Sequence, residues 1–573
     1  STGFYKTPKV DWDRIKGYIR DMLPRHIEPR VTSLTTECDE VLSAFLRGQL
    51  LVILSLGLIY AVGLSVIGLH FGLLIGVMAG LASIVPSLGV IVGVVLLGVS
   101  LAWLTSLCNF PGRRWLDWAL MLPFAVPAYV LAFVMIGILD FAGPLQTTLR
   151  GWLGSDFRMV SIRSTGGVIF VLVLVFYPYV YMLARGAFLA QGRGLMEAAR
   201  ILGHSPWQAF WRVALPMARP AIGAGAALAV METLADFGAV SVFNYDTFTT
   251  AIYKTWYGFY SLQTATQLAS LLLLFVLLAL YAERRAQGSK RFPGSDKPRQ
   301  GPLFQLRGVR GWLATGYCLL VLAVAFIIPL VQLFYWLFTS GSDFDERYWS
   351  LIRNTLTLGG IAAVTTVVVA MLLVLARRLQ PIRRVRSAVA LANLGYALPG
   401  SVLAVGIMFA FSVADNQLVV PLQRWLGVES PAPLLLGSLF ALLLAYLIRF
   451  MAVASGPLDT ALARIRPALP EAAHSLGHSG ASVFWRVYLP LLMPGLLSAG
   501  LLVFVDVLKE MPATLLMRPF GWDTLAVRIH SLTAEGNWPE AALPAITLVA
   551  TGLLPVIVLI RRSAQSVGRG NAH

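Results

Sequence analysis

Long apolar runs recur along this chain, separated by short polar links. They lie near 48–66, 86–107, 118–141, 166–187, 217–240, 265–283, 312–337, 353–376, 390–412, 433–454, 488–508 and 541–561. Each is close to the roughly 20 residues a helix needs to cross a hydrocarbon core. A further run near 68–84 is interrupted by glycines and followed by Pro86, and it reads as a span or a re-entrant piece. The pattern predicts an all-α fold, a polytopic transmembrane helical bundle of 12 or 13 spans. Residues 1–47 differ: they are polar, with Arg14, Lys16, Arg20 and Arg25 among apolar positions, which predicts an amphipathic helix on a membrane surface.

Composition agrees with the pattern. The 573 residues are 57% hydrophobic and only 13% charged, with a mean hydropathy of +0.74, which excludes an ordinary soluble protein. A formal charge of +17 raises the question of nucleic acid, but the basic residues sit in the short links. Arg113-Arg114, the stretch from Glu283 to Arg310, Arg377-Arg378, Arg383-Arg384, Arg386 and Arg561-Arg562 mark the cytosolic side of a membrane protein. No nucleic-acid partner is therefore expected, and lipid is the surrounding solvent. Cys38, Cys108 and Cys318 are scattered without ligand-like spacing and read as small core residues. The chain opens at Ser1 with nothing that resembles a cleavable leader, and the missing Met points to a processed or incomplete N-terminus.

One polar motif occurs twice, 274 residues apart. Glu197-Ala198-Ala199-Arg200-Ile201-Leu202-Gly203-His204, followed by Phe210-Trp211-Arg212 and Leu215-Pro216, aligns without a gap on Glu471-Ala472-Ala473-His474-Ser475-Leu476-Gly477-His478, Phe484-Trp485-Arg486 and Leu489-Pro490. Each copy predicts a helix, a tight turn at the glycine and a second helix. In the first copy Ser205 is the N-cap, Pro206 opens the helix and Gln208 completes a capping box. The Leu-Pro pairs predict a bend back into the membrane. Both copies fall on the cytosolic side, so two halves are related in parallel about an axis along the membrane normal. The predicted organisation is an atypical segment 1–95, a first half 96–283, a cytosolic linker 284–311 and a second half 312–573. His204 and His478 read as packing or hydrogen-bonding groups rather than metal ligands.

The doubled Glu-Ala-Ala, three residues, Gly and downstream Leu-Pro resemble the cytoplasmic-loop signature of ABC importer permeases, over about residues 96–565. A fused pair of such halves looks like the ferric-iron branch of that family. The resemblance implies that each motif is a coupling helix docked on an ATP-hydrolysing subunit through Glu197, Ala198, Ala199 and Gly203, and through Glu471, Ala472, Ala473 and Gly477. It implies two kinds of partner: an ATP-binding subunit, as a dimer, and a periplasmic or extracellular solute-binding protein. It also implies a place in the bacterial inner membrane. The chain has no Gly-x-x-x-x-Gly-Lys-Ser/Thr loop, so ATP hydrolysis is expected in a separate subunit, and the chain itself is read as no enzyme, without cofactor or resident metal.

The helix after each motif carries two acids, Glu232 and Asp236, then Asp506 and Glu510. Spacing of i, i+4 predicts both carboxylates of a pair on one helix face. Carboxylates at that depth face a cavity or a partner. As a translocation pathway, four of them suit a cation; the alternative is capping or pairing, with Lys509 as the local partner. Glu232-Thr-Leu-Ala-Asp236-Phe-Gly238 and Lys509-Glu510-Met-Pro512 also resemble ferric-iron permeases, which implies iron. Thiamine, sulfate or a polyamine stay open as alternative solutes. External aromatics (Tyr245, Tyr253, Trp256, Tyr257, Phe259, Tyr260, Trp522, Trp538) are expected in interfacial belts, some of them facing a binding protein.

Residues from about 36 to 95, including Phe45-Leu-Arg-Gly-Gln49-Leu and Val85-Pro-Ser-Leu-Gly89, instead resemble the autoinducer-2 exporter (PerM-like) family. This implies a chimera joined near 90–97, by gene fusion or assembly error, with a diverged permease start as the alternative. An ATP-independent exporter and an inactive fusion product follow as alternative functions.

Overall fold

A computed structural model describes residues 72–191, 201, 203, 206–287, 304–340, 346–380, 382–463 and 465–553. The chain divides into two compact units, Ser1–Val85 and Pro86–His573. The first is described only from Gly72 onward, where it is helical; the predicted surface helix in 1–47 and the run at 48–66 lie outside the described residues. Everything below concerns the second unit.

Almost every described residue is helical. Nine helical segments are long and apolar enough to span a membrane, and Leu262–Leu274 and Ala542–Leu553 are shorter apolar helices. Together they account for each run predicted from residue 86 onward. Pro86 does not break its helix, which runs from Gly72 to Leu107. Two other runs start later than their hydropathy suggests. The helix of the 118–141 run is Ala128–Leu139, preceded by a 3-10 turn at Leu122–Ala125. That of the 390–412 run is Gly400–Ala414, preceded by a 3-10 turn at Asn393–Ala397. In each, an extended proline, Pro127 or Pro399, stands at the N-cap and fixes the start.

The duplication is structural as well as sequential. Thr165–Ala190 recurs as Leu439–Ala463, and Leu215–Ala235 as Leu489–Lys509, each 274 residues on. In both halves these two helices pack along one another, through small residues that let backbones approach. A Cβ at Gly225 would stand 2.8 Å from Val180 Cα, and one at Gly495 would stand 2.6 Å from Ala461 Cβ.

Leu215-Pro216 and Leu489-Pro490 do not bend the chain as expected. The helix continues through both prolines by widening into a π turn, at Phe210–Ala214 and Phe484–Tyr488. Two more π turns, Ala323–Ile327 and Asp415–Val419, precede Pro329 and Pro421 at the same spacing. Proline lacks the N–H for the helical ladder, and its ring clashes with the carbonyl four residues back. One extra residue in the preceding turn relieves that clash, and the bond runs from Leu215 N–H to Phe210 O instead.

The halves interlock. The first-half helix Leu262–Gln287 packs on Gly400–Ala414, and the second-half helix Leu525–Ala534 packs on Ala128–Leu139 and Gly238–Val242. The helical run opening the second half also leans on the first: Trp336 stacks on Phe133 at 6.0 Å, and Thr315 donates to Pro111 O at 2.7 Å. The end of the predicted linker is tied down too, Phe304–Gln305 pairing in parallel with Cys108–Asn109. Cys108 and Cys318 are buried free thiols, as the sequence suggested.

Candidate functional site

The acid-bearing helices both stop short. Leu215–Ala235 ends at Asp236, whose backbone is extended, and Leu489–Lys509 ends at Glu510 in the same way. The i, i+4 expectation therefore fails in its geometry, because the second acid of each pair lies beyond its helix. Asp236 Oδ1 accepts from Val240 N at 3.1 Å, and Thr249 donates to Asp236 O at 2.7 Å. Glu510 Oε1 accepts from Ala513 N at 3.1 Å, and Thr514 donates to Glu510 O at 2.7 Å. Each acid, with a threonine, satisfies backbone groups freed by the break and starts the short helix that follows. Irregular backbone at this depth is tolerated where it lines a cavity.

Such a cavity is present. It measures about 150 Å³, and its walls include all four acids, Glu232, Asp236, Asp506 and Glu510, together with Arg449 and Lys509. The two halves contribute the acids equally, but both cations come from the second half. Each cation already has a partner. Arg449 Nε stands 2.9 Å from Glu510 Oε2, off the line of a hydrogen bond, and its Nη1 donates to Leu398 O at 2.6 Å. Lys509 Nζ, the partner foreseen for the acids, donates instead to Phe124 O at 2.7 Å.

The remaining carboxylates, Glu232 and Asp506, occupy equivalent positions in the halves. Glu232 accepts from the Tyr396 hydroxyl at 2.9 Å. Asp506 has no hydrogen bond or ion pair among the described residues, and it lies within electrostatic reach of Glu232, Lys509 and Arg449. Two acids thus act as caps and two face the cavity. Four carboxylates against two cationic groups leave the lining negative when all are ionised.

Sequence reasoning missed Arg449 and the phenols Tyr129, Tyr179 and Tyr396, which also line the cavity. Arg449 was findable, since an arginine inside the 433–454 apolar run is costly without a partner. The tyrosines carry no such signal. The external aromatics are not a plain belt: Tyr253 stacks on Tyr257 at 5.0 Å and packs against Phe237 at 5.2 Å, while Phe259 and Tyr260 are exposed.

Of the motif residues, Glu197, Ala198 and Ala199 lie outside the described residues, as does His204. Gly203 is exposed with φ +80°, the left-handed conformation that favours glycine at a helix end. The second copy is fully described. Helix Ala468–Ser475 carries Glu471 in its first turn, and Gly477 turns the chain at φ +83°. Ser479 caps the helix Gly480–Val483. Glu471, Ala472 and Gly477 are exposed, whereas Ala473 is buried and seats the helix on its own half. Leu469 and Leu476 are exposed beside them. His478 O lies 3.1 Å from His474 Nδ1, and its ring lies 3.3 Å from Ser482 Oγ, so this histidine serves the turn.

Comparison with known proteins places this geometry among relatives. Residues 94–283 match the family described as binding-protein-dependent transport system inner membrane component, and residues 9–108 match the AI-2E family transporter. The Fe(3+)-transport system permease protein FbpB 2 of Haemophilus influenzae is 27% identical over 482 residues, covering 82% of this chain and 87% of that protein. The putative 2-aminoethylphosphonate transport system permease protein PhnV of Salmonella typhimurium is 30% identical over 221 residues, covering 39% of this chain and 77% of that protein. The sulfate transport system permease protein CysW of Escherichia coli is 39% identical over 145 residues, covering 25% of this chain and 48% of that protein.

Proposed function

The chain belongs to the family of binding-protein-dependent transport system inner membrane components, and from that premise we propose that it imports ferric iron across the bacterial inner membrane. The solute arrives on an external binding protein, and a separate pair of ATPase subunits supplies the energy. The exposed face around Glu471, Ala472 and Gly477, and its counterpart at Glu197, Ala198, Ala199 and Gly203, is where those subunits dock. Their closure moves the two cytosolic helices, and the halves rock about the cavity between them. The chain performs no covalent chemistry. Its first 95 residues are a graft related to the AI-2E transporters.

The observation that carries the choice of solute is the cavity lining. Its acids outnumber its basic groups, and the basic groups already have partners, which supports a cation over sulfate, molybdate or a phosphonate. About 150 Å³ is small beside the 300–1,000 Å³ of pockets for organic ligands, which supports an ion over thiamine. The test is uptake into proteoliposomes holding the chain with its ATPase. Ferric uptake that depends on ATP, is unaffected by excess molybdate or sulfate, and is abolished by Glu197→Lys with Glu471→Lys is the expected result. Uptake of an oxyanion without iron refutes the cation reading.

A further inference from the structure

The four acids do not make a metal site by themselves: among the described residues no three His, Cys, Asp or Glu side chains converge closely enough to hold an ion. The cavity contains a second kind of oxygen donor. Tyr396 donates to Glu232, and the Tyr179 hydroxyl lies against that of Tyr396, within electrostatic reach of Glu232 and Asp506. Tyr129 is 5% exposed and lines the same cavity, and its hydroxyl is buried without a hydrogen-bond partner. A buried hydroxyl left unpaired costs about 1–3 kcal/mol, so a group normally present in the cavity is the simplest account of it.

These phenols are not products of the duplication. The residues at the matching positions of the other half are Phe124 for Tyr396, Val453 for Tyr179 and Ser401 for Tyr129. Three unrelated positions, two in the first half and one in the second, have each placed a hydroxyl on one cavity.

We propose that Tyr129, Tyr179 and Tyr396 join Glu232 and Asp506 as the donors of an all-oxygen transit site for a hard, multivalent metal cation. Carboxylate and phenolate oxygens suit such ions, and nitrogen and sulfur ligands are absent from the lining. A donor set drawn from both halves is assembled only while the halves are closed around it. It loosens when they move apart, as passage rather than storage requires. This rests on the ferric reading of the preceding subsection and adds the residues that recognise the ion.

The test is binding, independent of transport. The purified full chain in lipid nanodiscs is titrated with ferric nitrilotriacetate while the visible charge-transfer absorption of iron-bound phenolate is followed. The expected result is a band that saturates near one equivalent. Tyr396→Phe and Tyr179→Phe should each weaken it, and the triple Phe variant should remove it. Glu232→Gln with Asp506→Asn should lower the apparent affinity at least tenfold. Size-exclusion profiles matching the wild type confirm that these near-isosteric variants fold. No band, or a band that survives in the triple variant, overturns the site. Ferric uptake by the reconstituted complex with no such band leaves the proposed function standing and removes only the phenol site. Uptake of an oxyanion and not of iron removes the function and the transit role together.

Discussion

Arg449 holds Glu510 in the cavity wall, and Arg449→Met removes its charge while keeping most of its volume. Both side chains are largely withdrawn from solvent, at 11% and 5% exposure, and stand 2.9 Å apart. Without the guanidinium, Glu510 still caps Ala513 but carries an uncompensated charge, and Leu398 O loses its donor. Breaking a buried pair from one side costs about 3–5 kcal/mol. Arg449→Lys keeps the charge but cannot reach both Glu510 and Leu398 O from one ammonium, which predicts a loss of about 1–2 kcal/mol. The double variant Arg449→Met/Glu510→Gln buries no charge, and about half of the single-variant loss should return. Unfolding by sodium dodecyl sulfate in mixed micelles, followed by tryptophan fluorescence, gives the four corners of the cycle. The predicted coupling is about 2 kcal/mol or more. Strict additivity, or an Arg449→Met chain within about 0.5 kcal/mol of the wild type, refutes the claim that this pair supports the cavity.

Three further outcomes follow from particular contacts. A Cβ at Gly400 would collide with Glu510 Oε1, so Gly400→Ala should cost about 1–3 kcal/mol and should be tolerated in a Glu510→Ala background; equal cost in both backgrounds refutes the collision. Pro490→Ala restores the N–H and removes the ring that forces the π turn at Phe484–Tyr488, so the helix should tighten and rotate the cytosolic motif by about one residue, roughly 100°. Spin labels at 461 and 476 would report this as a changed distance distribution, and an unchanged one shows that the proline does not set the turn. Asp117 binds Arg185 through both oxygens at 2.5 Å, each partner about a quarter exposed, whereas Asp246 and Lys254 meet at 52–77% exposure. Asp117→Asn should cost about 1 kcal/mol and Asp246→Asn less than about 0.5 in the same unfolding assay; the reverse order contradicts the exposure argument.

The amino-acid order alone determined the features that depend on neighbours in sequence. Apolar runs marked the spans from residue 86 onward, because burying each in lipid requires about 20 apolar residues whatever it packs against. The exact spacing of the two motifs gave the duplication, and Gly203 and Gly477 gave the turns, since only a residue without a Cβ takes their positive φ at little cost. The four π turns were legible too, from the prolines that follow them, though the sequence reading took two of those prolines as bends. Tertiary structure decided the rest, because it concerns which distant groups meet. Asp236 and Glu510 became caps because their helices end one residue earlier, a matter of packing against Ala128–Leu139 and Gly400–Ala414. Arg449 found Glu510 across 61 residues of chain, and Tyr396 found Glu232 across 164. The helical run after the linker packs on the half it was not assigned to. A phenol in an apolar run has no local periodicity to betray it, and only the closing of two halves around one cavity shows that three of them share it.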